Sequence, residues 1–167
     1  MKVVLALGSN LGSRFQTLQG AVDTLFDAPG LEFVAVSPVY ETDPVGGPGG
    51  QKPYLNAVLI ADSSLDPYTL LERAQSVENA FGRVRQERWG ARTLDVDLIV
   101  VGDTVSDDPT LTLPHPRVHE RAFVLVPWSK ADPDGEVPGH GPIATLLAGL
   151  DTQGVWLRDD LRLQRPE

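Results

Sequence analysis

The order of short apolar segments and amphipathic segments along the chain constrains the fold more than any other feature of the sequence. Four segments are rich in β-branched and aromatic residues and are bounded by turn residues, which is typical of buried strands. They are residues 3–7, 31–40, 54–61 and 94–101. Strands of this kind bury both sides only when they pair in a sheet that helices cover.

Two amphipathic segments separate these strands. Apolar residues recur at helical spacing from Phe15 to Phe26, and the pattern stops at the Pro-Gly pair of residues 29–30. The second helix is predicted to begin after Asp66, a favourable N-cap residue, with Pro67 at its first position. The resulting order is strand–helix–strand–strand–helix–strand, which is the ferredoxin-like arrangement. We therefore predict an α+β fold with a ferredoxin-like βαββαβ core in a three-layer αβα sandwich.

The patterns after residue 102 are weaker and predict a C-terminal extension of helices and a strand. An extended segment with two prolines, two short helices and a final strand are predicted at residues 111–116, 120–130, 143–147 and 155–157. The chain has 167 residues, and domains average roughly 150 residues. We therefore expect one domain over residues 1–167, with the core at about 3–102 and the extension at about 103–158.

The composition excludes several classes of function. The chain contains 14 basic and 23 acidic residues, so its formal net charge is -9, which argues against nucleic acid or an anionic membrane as a partner. It has no cysteine, which excludes disulfides and thiolate sites. No apolar run approaches the ~18 residues of a membrane span, and the N-terminal run is too short for a signal peptide. We expect a cytoplasmic monomer.

Two acidic residues stand on the fourth predicted strand. Asp95 and Asp97 are two positions apart, so the period of a strand places both carboxylates on one face, while Val96 and Leu98 point into the core. Two adjacent carboxylates repel each other unless a cation neutralises them, and oxygen ligands suit Mg²⁺ together with phosphate and water. The spacing alone is equally compatible with a solvent-facing strand.

An arginine-rich segment immediately precedes the acidic pair. Its arginines are Arg83, Arg85, Arg88 and Arg92. Guanidinium groups match phosphate oxygens with paired donors, so arginines beside two carboxylates indicate phosphoryl transfer. The alternative is a solvated loop that balances nearby acids. The usual nucleotide-binding loops are absent: residues 8–14 lack the P-loop lysine, and residues 46–52 lack the required order.

A few other side chains could hold a ligand, although each is more often structural. His115 lies between two prolines, so its ring has a constrained direction and could contact a phosphate. The amide of Asn56 both donates and accepts, as reading the edge of a heterocycle requires. The aromatic candidates for holding a flat ring are Tyr40, Tyr54, Trp89 and Phe123.

Residues 88–99, with the sequence RWGARTLDVDLI, closely resemble the signature of the 6-hydroxymethyl-7,8-dihydropterin pyrophosphokinase family. Four further segments resemble motifs of that family in the same order. They are residues 6–12, 54–56, 82–85 and 114–123. Together the five motifs cover about residues 3–130.

The resemblance implies an enzyme of folate biosynthesis that transfers pyrophosphate from ATP to the hydroxymethyl group of a reduced pterin and releases AMP. It implies two Mg²⁺ ions on Asp95 and Asp97, with catalytic roles for these two residues, Arg83 and Arg92. The residues it places around the pterin are Gly8, Thr42, Val45, Tyr54, Asn56, Trp89 and Phe123. Those it places around ATP are Gln75, Glu78, Arg85, Arg92, Leu98, Leu111, Thr112, His115 and Arg121.

Two other functions remain compatible with the residues. One is a Mg²⁺-dependent phosphohydrolase that uses the same aspartate pair, and the other is a non-enzymatic ligand-binding module of ferredoxin-like fold. Formation of AMP only in the presence of the pterin favours the pyrophosphokinase. Mg²⁺-dependent ATP binding without turnover favours the binding module.

Overall fold

A computed structural model describes residues 1–43, 53–81 and 94–166. The part of the chain up to residue 101 contains β1 (Lys2–Ser9), α1 (Arg14–Leu25), β2 (Leu31–Val36), β3 (Tyr40–Thr42), β4 (Tyr54–Ser63), α2 (Pro67–Ala80) and β5 (Asp95–Val101). The remainder contains β6 (Ser106–Asp108), β7 (Leu111–Leu113), a 3₁₀ turn (Val118–Glu120), α3 (Ala122–Ala131), β8 (Glu136–Val137), β9 (Gly141–Pro142), α4 (Ile143–Ala148) and β10 (Val155–Leu157).

The main sheet is antiparallel and has the order β10-β3-β4-β1-β5, with β2 also paired to β4. The predicted mixture of helices and strands is therefore confirmed. The predicted strands at residues 3–7, 54–61 and 94–101 correspond to β1, β4 and β5. Two small hairpins, β6–β7 and β8–β9, were not predicted.

The predicted strand at residues 31–40 is wrong as a single element, because the chain breaks between β2 and β3. At Ser37 the backbone N–H donates to the Val58 carbonyl at 2.9 Å, but the Val58 N–H donates to the Ser37 hydroxyl at 2.9 Å. Pro38 follows and has no N–H to donate. A side chain thus replaces a backbone group in the ladder, and β3 resumes farther along β4.

Helices cover both faces of the sheet. Alternate residues of β1 and β4, such as Leu5 and Leu59, pack with Leu18 of α1 and Leu70 of α2; we call this the α1–α2 face. The intervening residues pack with α3, and we call this the α3 face. Its members include Val4, Val58, Ile60, Leu125 and Trp128. The two-residue period of a strand sends neighbouring side chains into these separate clusters.

The helix boundaries follow local sequence signals. The Asp66 carboxylate accepts a hydrogen bond from the Thr69 N–H at 3.0 Å, and Pro67 opens α2, as predicted. The helix predicted at residues 120–130 is a 3₁₀ turn followed by α3, and the helix at 143–147 is α4. Among the helices of the described residues, none combines the length and apolar content needed to cross a bilayer.

The segment after β10 returns to the beginning of the chain. The Arg158 N–H donates to the Val39 carbonyl at 2.8 Å, which extends the pairing beside β3. Leu163 is buried on the α1–α2 face. The Gln164 N–H then donates to the side-chain carbonyl of Gln19 in α1 at 2.7 Å. This segment therefore packs against α1.

Candidate active site

One transverse row of residues crosses four strands near the end of β1. Tyr40 of β3 lies opposite Asn56 of β4, Asn56 lies opposite Gly8 of β1, and Gly8 lies opposite Asp95 of β5. By strand alternation these positions belong to the α3 face. The register therefore brings together residues that sequence analysis selected from four separate segments.

Gly8 permits a close approach within this row. A Cβ atom at this position would lie 3.1 Å from Oδ1 of Asn56 and 3.4 Å from Cδ1 of Tyr54. The absence of a side chain lets the Asn56 amide and the Tyr54 ring lie over the backbone of β1. These two side chains cover Gly8, which is buried between Asn56 and Asp95.

Asn56 and Thr42 hold each other in place. Nδ2 of Asn56 donates to the Thr42 hydroxyl at 2.6 Å, and both residues are buried. This contact fixes which way the amide faces and uses one of its two N–H groups. Sequence analysis placed both residues beside the pterin but did not predict that they bond to each other.

The acidic pair has the predicted orientation. Val96 and Leu98 are buried on the α1–α2 face, whereas Asp95 is half-buried and Asp97 exposed. Within residues 1–43, 53–81 and 94–166, no three histidine, aspartate or glutamate side chains cluster as a metal site. Mg²⁺ commonly takes one or two carboxylates and completes its shell with phosphate and water. The pair thus fits Mg²⁺ that is shared with a nucleotide.

Arg121 connects the acidic pair to α3. Burial lowers the pKa of its guanidinium, while the charge of Asp97 opposes that shift. Its Cζ atom lies 5.5 Å from the centroid of the Phe123 ring, within the range of a cation–π interaction. Arg121, predicted to bind ATP, and Phe123, predicted to contact the pterin, are therefore in contact at the start of α3.

His115 lies near the same arginine and is neutral at pH 7. The backbone N–H of His115 donates to the Ile99 carbonyl of β5 at 2.9 Å. Burial, followed by the charges of Arg121 and Arg117, lowers the pKa of His115 to about 4. The backbone N–H of Arg117 donates to Nδ1 of the His115 ring at 3.4 Å. In the neutral ring the proton then resides on Nε2, which is left as a donor.

The other predicted ATP residues lie around α2, β5 and β7. Glu78 is buried, and its Oε2 accepts from the Val96 N–H at 2.8 Å, so it stabilises the start of β5. Leu98 and Leu111 are buried on the α1–α2 face. Gln75 is exposed, and the Thr112 hydroxyl donates to the Asp108 carbonyl at 3.1 Å. Leu98 and Leu111 therefore lie on the face of the sheet opposite Gly8 and Asn56.

Five of the predicted site residues lie outside the described residues, as do most of the two loops that carry them. They are Val45, Arg83, Arg85, Trp89 and Arg92. Their roles stay predictions.

Sequence analysis missed an ion-pair network next to the site. Glu41 contacts Arg14 and Arg158, which are 27 and 117 positions away. No local pattern links residues so far apart, so the only available signal was the single acid between Tyr40 and Thr42.

Comparisons with known proteins point to one family. The family model of 7,8-dihydro-6-hydroxymethylpterin-pyrophosphokinase (HPPK) matches residues 4–133. A 2-amino-4-hydroxy-6-hydroxymethyldihydropteridine pyrophosphokinase of Mycobacterium leprae is 52% identical, over 98% of this chain and 93% of the relative. The one of Mycobacterium bovis is 46% identical, over 99% and 90%. The one of Pseudomonas aeruginosa is 40% identical, over 92% and 94%.

Solved structures support the fold. The wild-type HPPK-DHPS of Plasmodium falciparum with pteroate superposes with a TM-score of 0.70 at 12% identity. The match covers 88% of this chain and 44% of that one, so this chain spans less than half the length of that protein.

Proposed function

The chain belongs to the 7,8-dihydro-6-hydroxymethylpterin-pyrophosphokinase family, and from that premise we propose how its residues divide the reaction. The enzyme transfers pyrophosphate from ATP to the hydroxymethyl group of 6-hydroxymethyl-7,8-dihydropterin in folate biosynthesis and releases AMP. The observation that carries the proposal is the row Asn56–Gly8–Asp95, in which an amide and a carboxylate lie on the strands on either side of a glycine.

The pterin lies beside the row Asn56–Gly8–Asp95 in this proposal. Adjacent strands are ~4.8 Å apart, so the backbones of β4 and β5 at this row are separated by roughly 10 Å. A bicyclic ring beside this row can therefore reach from the Asn56 amide toward Asp95. The amide reads the polar edge of the heterocycle, and aromatic rings hold its faces. The residues assigned to the pterin are Gly8, Thr42, Val45, Tyr54, Asn56, Trp89 and Phe123.

Asp95 and Asp97 would hold two Mg²⁺ ions, a number that only the family resemblance supplies. When bound, Mg²⁺ neutralises the charge of the phosphate chain and polarises the attacked phosphoryl group. The support from this chain is that Val96 and Leu98 are buried on one face of β5, so both carboxylates leave the other face, next to Gly8 of β1.

The cationic side chains orient the phosphates for in-line attack on the β-phosphorus. Arg121 lies beside Asp97, and the neutral ring of His115 offers its Nε2–H nearby. We assign Arg83 and Arg92 to charge stabilisation during transfer. The residues assigned to ATP binding are Gln75, Glu78, Arg85, Arg92, Leu98, Leu111, Thr112, His115 and Arg121.

We also infer that the core has the ferredoxin-like topology. The support is the sheet order β5-β1-β4 with β2 and β3 on the far side of β4, and α1 and α2 together on one face. The expectations of one domain over residues 1–167, a monomer and a cytoplasmic location belong to the same proposal.

An assay of AMP release from ATP and Mg²⁺, with and without 6-hydroxymethyl-7,8-dihydropterin, tests the reaction. We expect AMP only when the pterin is present, and we expect Asp97→Asn to reduce the rate at least ~100-fold because the metal loses a ligand. Asp107→Asn, at an exposed aspartate of β6, is the matched control. Release of ADP or free phosphate independent of the pterin would instead identify a phosphohydrolase.

A further inference from the structure

Glu41 lies at the centre of an ion-pair network on the α1–α2 face. Its Oε2 accepts from Nη1 of Arg158 at 2.9 Å, and its Oε1 lies 3.4 Å from Nη1 of Arg14. The same Arg14 nitrogen donates to the Pro53 carbonyl at 2.8 Å. Each of the three charged side chains is only 21–30% exposed. A carboxylate between two guanidinium groups, in a partly buried place, resists reorientation.

This network joins four separate parts of the fold. Arg14 is the first residue of α1, Glu41 is the middle residue of β3, Pro53 precedes β4, and Arg158 follows β10. Strands β3 and β10 have three residues each, so backbone pairing alone fixes their position weakly. The Glu41 contacts add side-chain restraints at both edges of β3.

The consequence of this restraint lies on the opposite face of β3. Tyr40 and Thr42 flank Glu41 and point to the α3 face, where the Thr42 hydroxyl accepts from Asn56 at 2.6 Å. A shift of β3 that moved Glu41 would move Thr42 with it, because adjacent residues share one backbone. The hydrogen bond that orients the Asn56 amide would then lengthen or break.

We propose that Glu41, held between Arg14 and Arg158, is a positioning residue that fixes the Thr42–Asn56 pair and so determines affinity for the pterin rather than for ATP. This inference rests on the proposed function, in which that pair reads the pterin. Glu41 does not itself touch the substrate, since its side chain lies on the face opposite the row Asn56–Gly8–Asp95.

Steady-state kinetics of Glu41→Gln test the proposal. The amide keeps the size of the side chain but presents an N–H₂ group to one of the two guanidiniums. We expect the pterin KM to rise about tenfold, below the ~100-fold that a misplacement of 1 Å can cost. The ATP KM and the kcat at saturating pterin should change less than about twofold. An unchanged pterin KM would overturn the proposal, as would an equal rise in both KM values.

A spectroscopic readout separates this role from general destabilisation. The side-chain amide signals of Asn56 in a ¹H–¹⁵N spectrum should shift in Glu41→Gln, because the bond to Thr42 changes. Asp160→Asn is the matched control, since it removes the other carboxylate on Arg158 and leaves the Glu41 contact in place. We expect it to preserve both the Asn56 signals and the pterin KM. Asn56 signals that stay fixed in Glu41→Gln would overturn the proposal.

A second variant covers the case in which Glu41→Gln does not fold. Arg158→Gln removes one of the two partners of Glu41 and should raise the pterin KM in the same selective manner. A wild-type protein that forms no AMP would refute the proposed function, while the Asn56 spectrum would still test the network. An active wild-type protein whose two variants keep its pterin KM would refute the network alone.

Discussion

Gly8 is the residue at which one added carbon atom would displace the Asn56 amide. An added Cβ would approach Oδ1 of Asn56 to 3.1 Å, so Asn56 would have to move by a few tenths of an ångström. That movement would disturb the hydrogen bond from Asn56 to Thr42, which is short at 2.6 Å. The backbone of Gly8 does not adopt a positive φ, so alanine is compatible with the local conformation.

We therefore expect Gly8→Ala to fold but to bind the pterin about tenfold more weakly, because the added methyl group displaces the Asn56 amide. Ligand titration by fluorescence measures the affinity, and thermal unfolding measures the fold. Gly149→Ala is the matched control, because its Cβ would meet no atom nearer than 3.8 Å. Equal pterin affinity in Gly8→Ala and the wild type would remove Gly8 from the binding surface.

At the level of single residues, the sequence predicted the type and orientation of the site's side chains better than it predicted their hydrogen-bond partners. The same-face orientation of Asp95 and Asp97 follows from the strand period alone, and the structure confirms it. The bond between Asn56 and Thr42 depends on the register of β3 against β4, which no local pattern contains. The burial of Glu78 against the start of β5 depends in the same way on how α2 packs.

At the level of elements, Ser37 is the residue that divides one predicted strand into β2 and β3. Its hydroxyl accepts the Val58 N–H, and Ser37 is only 3% exposed. Ser37→Ala would leave that N–H buried without this partner, which costs about 1–3 kcal/mol. We expect urea denaturation to show a loss of this size and hydrogen exchange to accelerate at Val58.

Ser129→Ala provides the comparison for this prediction. The Ser129 hydroxyl donates to a carbonyl of its own helix at 2.7 Å, so its removal leaves no buried N–H without an acceptor. We expect the free energy of unfolding to change by less than about 0.5 kcal/mol. A Ser37→Ala variant as stable as Ser129→Ala would show that the break in the strand does not depend on the hydroxyl.

The break itself was detectable in the sequence, because proline is rare inside a central strand and Pro38 follows Ser37. Helical spacing and caps predicted the start of α2 correctly because those signals are local. The hairpins β6–β7 and β8–β9 are too short for periodicity to reveal them.

At the level of the whole molecule, His115 makes stability depend on pH. Its pKa is about 4 in the folded protein, compared with 6.5 for an unperturbed histidine. Between these values the unfolded chain binds a proton that the folded protein excludes. Stability from this group is therefore complete above pH 6.5 and decreases as the pH falls toward 4.

We expect the free energy of unfolding to decrease by about 1–2 kcal/mol between pH 6.5 and 4 because of His115, with partial solvent exposure taken into account. Denaturation of wild type and His115→Gln across this range measures the difference. His140→Gln, at an exposed histidine, controls for the loss of an imidazole elsewhere. Parallel pH profiles for wild type and His115→Gln would contradict the assignment.

The whole-molecule arrangement was predictable only where neighbouring elements determine it. The alternation of strands and helices predicted a sheet with helices packed on it, and both faces are covered. The network of Arg14, Glu41 and Arg158 joins residues up to 117 positions apart. Composition predicted an acidic protein but could not indicate where opposite charges meet.

The late position of β10 in the chain affects the time course of synthesis. Val155 of β10 pairs with Thr42 of β3 across 113 positions, and a ribosome that adds 5–20 residues per second needs roughly 6–23 s for that interval. During this time β3 is without β10, and its outer edge is open to other strands. The nascent protein therefore depends on β10 to close the edge on which Thr42 lies, and a chain arrested before residue 155 is expected to associate with other chains through that edge.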